Sequence, residues 1–182
     1  MLHSIGNLTQ RAQSNVAYAH SIDFFVNGKQ VVLKEGEFNP TMSVADWLRS
    51  DKVKLFGTKI SCGEGGCGAC TVVISSYDPI TGTVKHRPVN SCLTPVAQLH
   101  HCSLTTVEAL GNLREGLHPV QAAIVKHHGT QCGYCTPGFV MNGYAMLLDN
   151  PHPKVHEIEE QFDGNLCRCT GCLLYTSPSP RD

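Results

Sequence analysis

Cys62-Gly-Glu-Gly-Gly-Cys67-Gly-Ala-Cys70 runs directly into Thr71-Val-Val-Ile-Ser-Ser-Tyr77, and Cys92 follows after 21 intervening residues. The spacing is C-x4-C-x2-C with a distant fourth cysteine, the plant-type 2Fe–2S pattern. Such a cluster carries about −2 charge when oxidised, counting four thiolates, two sulfides and two ferric ions. Backbone N–H groups can stabilise that charge if they come close to the sulfurs. Gly63, Gly65, Gly66 and Gly68 allow the left-handed φ values and close approach this needs, and Lys59 is a candidate for nearby positive charge. Two other readings of the stretch exist. Gly63 to Gly68 formally matches G-x-G-x-x-G, but that fingerprint must open a helix, and a β-rich run follows here. Structural zinc usually uses paired C-x2-C knuckles, which the x4-x2 triplet matches poorly.

On the N-terminal side, Ile22 to Val26 and Gln30 to Leu33 flank Asn27-Gly28, which predicts a hairpin with a type I′ turn. Thr41 to Arg49 predicts a short helix with Val44, Trp47 and Leu48 facing a core. On the C-terminal side, 71–77 and 83–88 predict strands around the turn Asp78-Pro-Ile-Thr-Gly82, and 103–107 a last strand. From about 109 the pattern becomes helical. Pro119 and Thr136-Pro137 suit helix starts, with Thr136 as N-cap. Gly129 suits a C′ stop. Residues 154–162 predict a third helix, and Cys167 a fourth.

A second constellation lies in this helical half: Gln131-Cys132-Gly-Tyr-Cys135 and Asn165-Leu-Cys167-Arg-Cys169. C-x2-C alone could be a redox dithiol or half a zinc site. The C-x-C partner turns the set toward a second cluster, with helix N-termini and Arg168 facing an anion. Cys102 reads as a small buried hydrophobe, and Cys172 receives no role. His100-His101 and His127-His128 have no matched ligand spacing and read as surface or capping residues.

The bulk numbers agree with a metal-bearing protein. Ten cysteines in 182 residues are the outlying feature, and MLHSIGNLTQRAQSN at the start lacks the apolar core of a secretory signal. A reducing, cytoplasmic setting is therefore expected, in which disulfides are a poor explanation. Net charge is −1, which leaves no footprint for nucleic acid or an anionic membrane. No apolar run approaches the roughly 20 residues of a spanning helix.

Together the two constellations resemble the N-terminal iron–sulfur region of the xanthine dehydrogenase and aldehyde oxidase family of molybdenum hydroxylases. The stretches that carry the resemblance are FFVNGK (24–29), GTKISCGEGGCGACTVVIS (57–75), VNSCLTPVAQLH (89–100), TTVEALG (105–111), HPVQAAIVKHHGTQCGYCTPGFVMN (118–142) and GNLCRCTG (164–171). The resemblance implies an α+β chain: a plant-ferredoxin-like β-grasp domain at 21–108, then an all-α four-helix-bundle domain at 109–172. Residues 1–20 would be an arm. It implies one cluster on Cys62, Cys67, Cys70 and Cys92 and another on Cys132, Cys135, Cys167 and Cys169, with Gln131 and Cys169 against a pterin. It further implies electrons passing from a molybdenum–pterin centre through both clusters to FAD, in flavin and molybdenum domains of the same chain or of separate subunits, and a homodimer at full length. Where the family continues Tyr-Arg-Pro, this sequence has Cys172-Leu-Leu-Tyr-Thr-Ser-Pro-Ser-Pro-Arg-Asp182. Residues 173–182 are expected to be a disordered, non-native tail, and the chain a piece of a longer product without its own flavin, molybdenum or substrate site.

Overall fold

The computed structural model of the chain describes residues 20–170. Five strands form one mixed sheet: β1 (Ser21–Val26), β2 (Lys29–Lys34), β3 (Thr71–Asp78), β4 (Thr83–Asn90) and β5 (Ser103–Thr105), in the order β2-β1-β5-β3-β4. β1 and β5 run parallel, and the other pairs are antiparallel. The Asn27-Gly28 turn is present as expected, with φ of 49° and 79° and Val26 opposite Lys29. Asn27 also ties the hairpin to the residue that follows β5, the neighbouring strand. Its side chain donates to Thr106 Oγ1 and accepts from the Thr106 N–H, both at 2.9 Å.

α1 (Val44–Arg49) starts at Ser43 rather than Thr41, because the Ser43 hydroxyl accepts from the Asp46 N–H and caps it. Val44, Trp47 and Leu48 are buried, as their spacing predicts. They pack with Phe24, Val26, Val72, Ile74 and Leu104 from one face of the sheet. Strand alternation turns Val73 to the opposite face, where it meets Met141 and Ala145. β3 is therefore buried on both sides, which explains why TVVI reads as a continuous apolar run.

The helical half contains α2 (Pro119–Lys126), α3 (Thr136–Asp149) and α4 (Val155–Gln161). α3 lies on the sheet, and α2 and α4 meet over it at Gly143, where an added Cβ would stand 3.2 Å from Val120 and 3.5 Å from Phe162. Cys135, not Thr136, is the N-cap of α3. The Thr136 hydroxyl is taken up by Thr130 at 2.8 Å. The stop of α2 also differs from the reading by one residue. His128 holds the left-handed position at φ 56°, while Gly129 follows it and donates to the Ile124 carbonyl at 2.8 Å. With His128 donating to Val125, this is a Schellman closure in which histidine takes the place glycine normally fills. His127 is the C-cap, in keeping with a capping role. Residues 168–170 form a turn rather than the helix start expected at Cys167, and 171–182, with Cys172 and the tail at 173–182, lie outside the described residues. Residues 1–19 of the expected 1–20 arm also lie outside them.

Candidate metal centres

The β3–β4 hairpin explains the long gap before the fourth cysteine of the first constellation. Its register sets Thr71 opposite Asn90, so Cys70 and Cys92 flank the same end of the ladder. Ser91 locks that end, since its N–H and hydroxyl both donate to the Cys70 carbonyl, at 3.3 and 2.7 Å. The 62–70 loop then curls back to the hairpin. Gly63, Gly65 and Gly68 take φ of 70°, 74° and 69°, whereas Gly66 does not adopt a left-handed φ. Asn90 Nδ2 holds the loop by donating to the Gly65 carbonyl at 2.7 Å, and Leu93 fills the space a Cβ at Gly65 would need.

Curling aims backbone N–H groups at sulfur. Cys62 Sγ accepts from the Glu64 N–H at 3.4 Å. That bond, the neighbouring Cys67 side chain and N–H, and the Gly66 N–H pull the Cys62 thiol down to about 6. The Lys59 ammonium, the candidate for nearby positive charge, donates to the Phe56 carbonyl at 2.6 Å. Burial pushes Cys92 up to about 11, and its contact with Cys70 and the charge at Cys62 add to the shift. Mutual perturbation of this kind marks sulfurs that converge on one volume and would repel as thiolates without a cation.

The second constellation converges in the same way. Cys132 is lowered by the Tyr134 N–H and by the Cys169 side chain. Burial and the Cys167 side chain push Cys135 up to about 12. Burial also acts upward on Cys167, but the Thr170 hydroxyl, 2.8 Å from its sulfur, the Thr170 N–H at 3.4 Å and Cys135 outweigh it. Contact with Cys132 raises Cys169. Gln131 sits exposed beside Cys132. Both quartets thus suit a group that binds four thiolates and accepts N–H···S bonds. The G-x-G-x-x-G reading falls, because β3 rather than a helix follows the loop.

The sequence reading missed how close the two quartets lie. The Leu166 N–H donates to the Cys67 carbonyl at 3.0 Å, so a residue next to Cys167 touches a residue of the first quartet. Asn165 Nδ2 donates to the Gly68 carbonyl at 3.1 Å. Asn165 is itself held by buried Asn142, which donates to Asn165 Oδ1 and to the Gln161 carbonyl at 2.6 Å each and accepts from Gln161 Nε2 at 2.6 Å. Gly138, in the first turn of α3, admits the loop, since a Cβ there would fall 2.1 Å from the Gly68 carbonyl oxygen. An asparagine on the apolar face of α3 was the available signal. Cys102 packs at the edge of the sheet core, with its thiol raised by burial.

Two family models cover these centres: the 2Fe-2S iron-sulfur cluster binding domain at residues 24–97 and the [2Fe-2S] binding domain at 106–175. The second extends past Gly171, where the sequence reading ended the family pattern. The fold and the two sulfur quartets thus define a protein with two 2Fe–2S-binding domains. Quinoline 2-oxidoreductase from Pseudomonas putida 86 shares this structure at a TM-score of 0.70 and 40% identity, with 84% of this chain matched to 85% of that one. The aldehyde oxidoreductase of Desulfovibrio gigas matches at a TM-score of 0.71 and 32% identity over 83% of this chain and 15% of its own. Chicken (Gallus gallus) xanthine dehydrogenase/oxidase is 54% identical over 148 residues, and rat (Rattus norvegicus) aldehyde oxidase 1 is 52% identical over 148. These cover 81% of this chain, which spans about 11% of the length of the curated relatives it matches. The chain belongs to the xanthine dehydrogenase and aldehyde oxidase family of molybdenum hydroxylases, in its iron–sulfur region.

Proposed function

We propose that this chain is the electron relay of a molybdenum hydroxylase of the xanthine dehydrogenase or aldehyde oxidase type. One 2Fe–2S cluster sits on Cys62, Cys67, Cys70 and Cys92 in a ferredoxin-like β-grasp domain at 21–108. The other sits on Cys132, Cys135, Cys167 and Cys169 in a helical-bundle domain at 109–172. Electrons enter at the helical-domain cluster from a molybdenum–pterin centre, against which Gln131 and Cys169 lie, and leave from the ferredoxin-like cluster to FAD. The working enzyme is a cytoplasmic homodimer.

One observation carries the reading: the Cys67 carbonyl accepts the Leu166 N–H at 3.0 Å. It joins the two quartets by a covalent route interrupted by a single hydrogen bond. A pair of independent structural metal sites has no need of that junction. Exposure of Cys62 on one quartet and of Cys132 and Cys169 on the other leaves each a side open to a redox partner. A second arrangement, a small 2Fe–2S subunit beside separate flavin and molybdenum chains, is favoured by the near-complete match to one chain of quinoline 2-oxidoreductase.

Paramagnetic resonance of the reduced, iron-loaded chain tests the relay. Two signals are expected, with Cys67→Ser abolishing one, Cys135→Ser the other, and each variant retaining half the iron. A single signal lost in both variants, or stoichiometric zinc in place of iron, refutes it.

A further inference from the structure

Away from both quartets, Leu99 to Cys102 form a tight turn, closed by the Cys102 N–H on the Leu99 carbonyl at 2.8 Å. His100 has φ −53° and ψ 126°, and His101 has φ 58°, the two central positions of a type II turn. The second of these favours glycine, so a histidine there is uncommon and costs backbone energy. The turn stacks the two imidazoles, with centroids 3.7 Å apart and planes 31° apart, and turns both Nδ1 atoms to one carboxylate of β1. Asp23 Oδ1 lies 3.1 Å from His100 Nδ1 and 3.4 Å from His101 Nδ1.

We propose that Asp23, His100 and His101 form a binding site for a divalent cation of the zinc class, separate from the cluster cysteines. Bonds of about 2.0–2.2 Å at tetrahedral angles set neighbouring ligand atoms about 3.3–3.6 Å apart. The Asp23–His101 separation of 3.4 Å falls in that range, the Asp23–His100 separation of 3.1 Å is slightly shorter, and all three ligand atoms lie within 4.8 Å of one another. The Asp23 N–H donates to His100 Nδ1 at 3.2 Å, so the ion would take that nitrogen's one lone pair in place of this hydrogen bond. Cys102 Sγ is directed to the Gln98 and His100 carbonyls, at 3.7 and 3.5 Å. The donor set is therefore two nitrogens and an oxygen, which suits zinc, copper(II) or nickel(II) rather than a thiophilic ion. Side-chain exposures of 42% for Asp23, 33% for His100 and 72% for His101 leave a path for the ion and room for water as fourth ligand.

The test is equilibrium dialysis of the iron-loaded chain against zinc, with zinc and iron counted together. One zinc per chain is expected in addition to the iron, with only nitrogen and oxygen neighbours in zinc-edge X-ray absorption. His100→Gln with His101→Asn is expected to weaken zinc binding at least about tenfold while the visible spectrum stays unchanged. Asparagine tolerates the left-handed position, so the turn survives. Asp23→Asn is expected to act in the same direction and decides the matter if the double variant misfolds. No zinc uptake by the iron-loaded chain, sulfur neighbours at the zinc edge, or affinity unchanged in these variants would overturn the site. Loss of zinc from His127→Gln with His128→Asn would overturn it too, by placing the ion elsewhere.

Discussion

Gly138→Ala is the sharpest test of how the two sulfur quartets are held together. The added methyl would sit 2.1 Å from the Gly68 carbonyl oxygen, 3.0 Å from its carbon and 3.2 Å from Ala69 Cα. All three are backbone atoms, so no side chain can swing aside. α3 and the 62–70 loop must separate by about 1 Å to restore ordinary contact. Overpacking of this kind costs about 1–3 kcal/mol. The Leu166–Cys67 and Asn165–Gly68 bonds span the same seam, and losing them adds about 1 kcal/mol each. Against this, alanine gains about 1 kcal/mol over glycine in a helix. A net loss of about 2–4 kcal/mol remains, which lowers the melting midpoint by about 5–15 °C. Circular dichroism melting of the iron-loaded chain measures it, and the magnetic interaction between the two reduced clusters should weaken as the seam opens. Gly143→Ala is the control. Its Cβ would meet only side-chain atoms, the nearest Val120 Cγ1 at 3.2 Å, so helix propensity should leave that variant near wild type. A Gly138→Ala protein as stable as the wild type, with unchanged cluster–cluster coupling, would refute the close-contact argument.

Asn142→Ala removes the partner of the half-buried Gln161 carbonyl and strands the buried Asn165 side-chain oxygen. A loss of about 2–3 kcal/mol is expected in denaturant titration, with more exchange at the Leu166 amide. In the iron-free chain, Cys62 is lowered to about 6 and so is mostly thiolate at pH 7, while Cys92 at about 11 and Cys135 at about 12 remain protonated. Iodoacetamide should label Cys62 first, faster as pH rises through 6, and mass spectrometry showing Cys92 or Cys135 labelled first would contradict this. Without added flavin and molybdenum components, turnover of xanthine or an aldehyde by this chain is expected to be absent, and its appearance would overturn the relay assignment.

What could be read from residues alone divides along a physical line. Local signals held: Asn27-Gly28 made its hairpin, Val44, Trp47 and Leu48 turned inward, and β3 followed Cys70. Each depends on a few adjacent residues. Where two local solutions are nearly equal, the reading slipped by a residue or two, as with Ser43 over Thr41, Cys135 over Thr136, and His128 over Gly129. The seam between the quartets was not legible, because Asn165 and Gly68 are 97 residues apart and nothing local marks their meeting. The Asp23–His100–His101 group escaped for the same reason, since Asp23 is 77 residues from His100.

The quartets share one support. β3 begins at the residue after Cys70, and its Val72 and Ile74 anchor one core while Val73 anchors the other against Met141 of α3. Cys135 is the N-cap of the same α3. A rigid strand, buried on both faces, therefore fixes a cysteine of the first quartet and, through one helix, a cysteine of the second. The remaining ligands of each set hang on loops, but those loops are tied to this frame by Asn90, Asn165 and Asn142. Three asparagines serve where ion pairs would not. Their side chains both donate and accept, so they satisfy loop carbonyls without adding charge beside anionic clusters. Charge there would shift the reduction potential of the nearer cluster, whereas neutral amides fix geometry and leave the potential to the N–H···S bonds. The relay proposed above needs that separation of duties: ligand positions that stay constant between redox states, and a field set by backbone amides that cannot ionise.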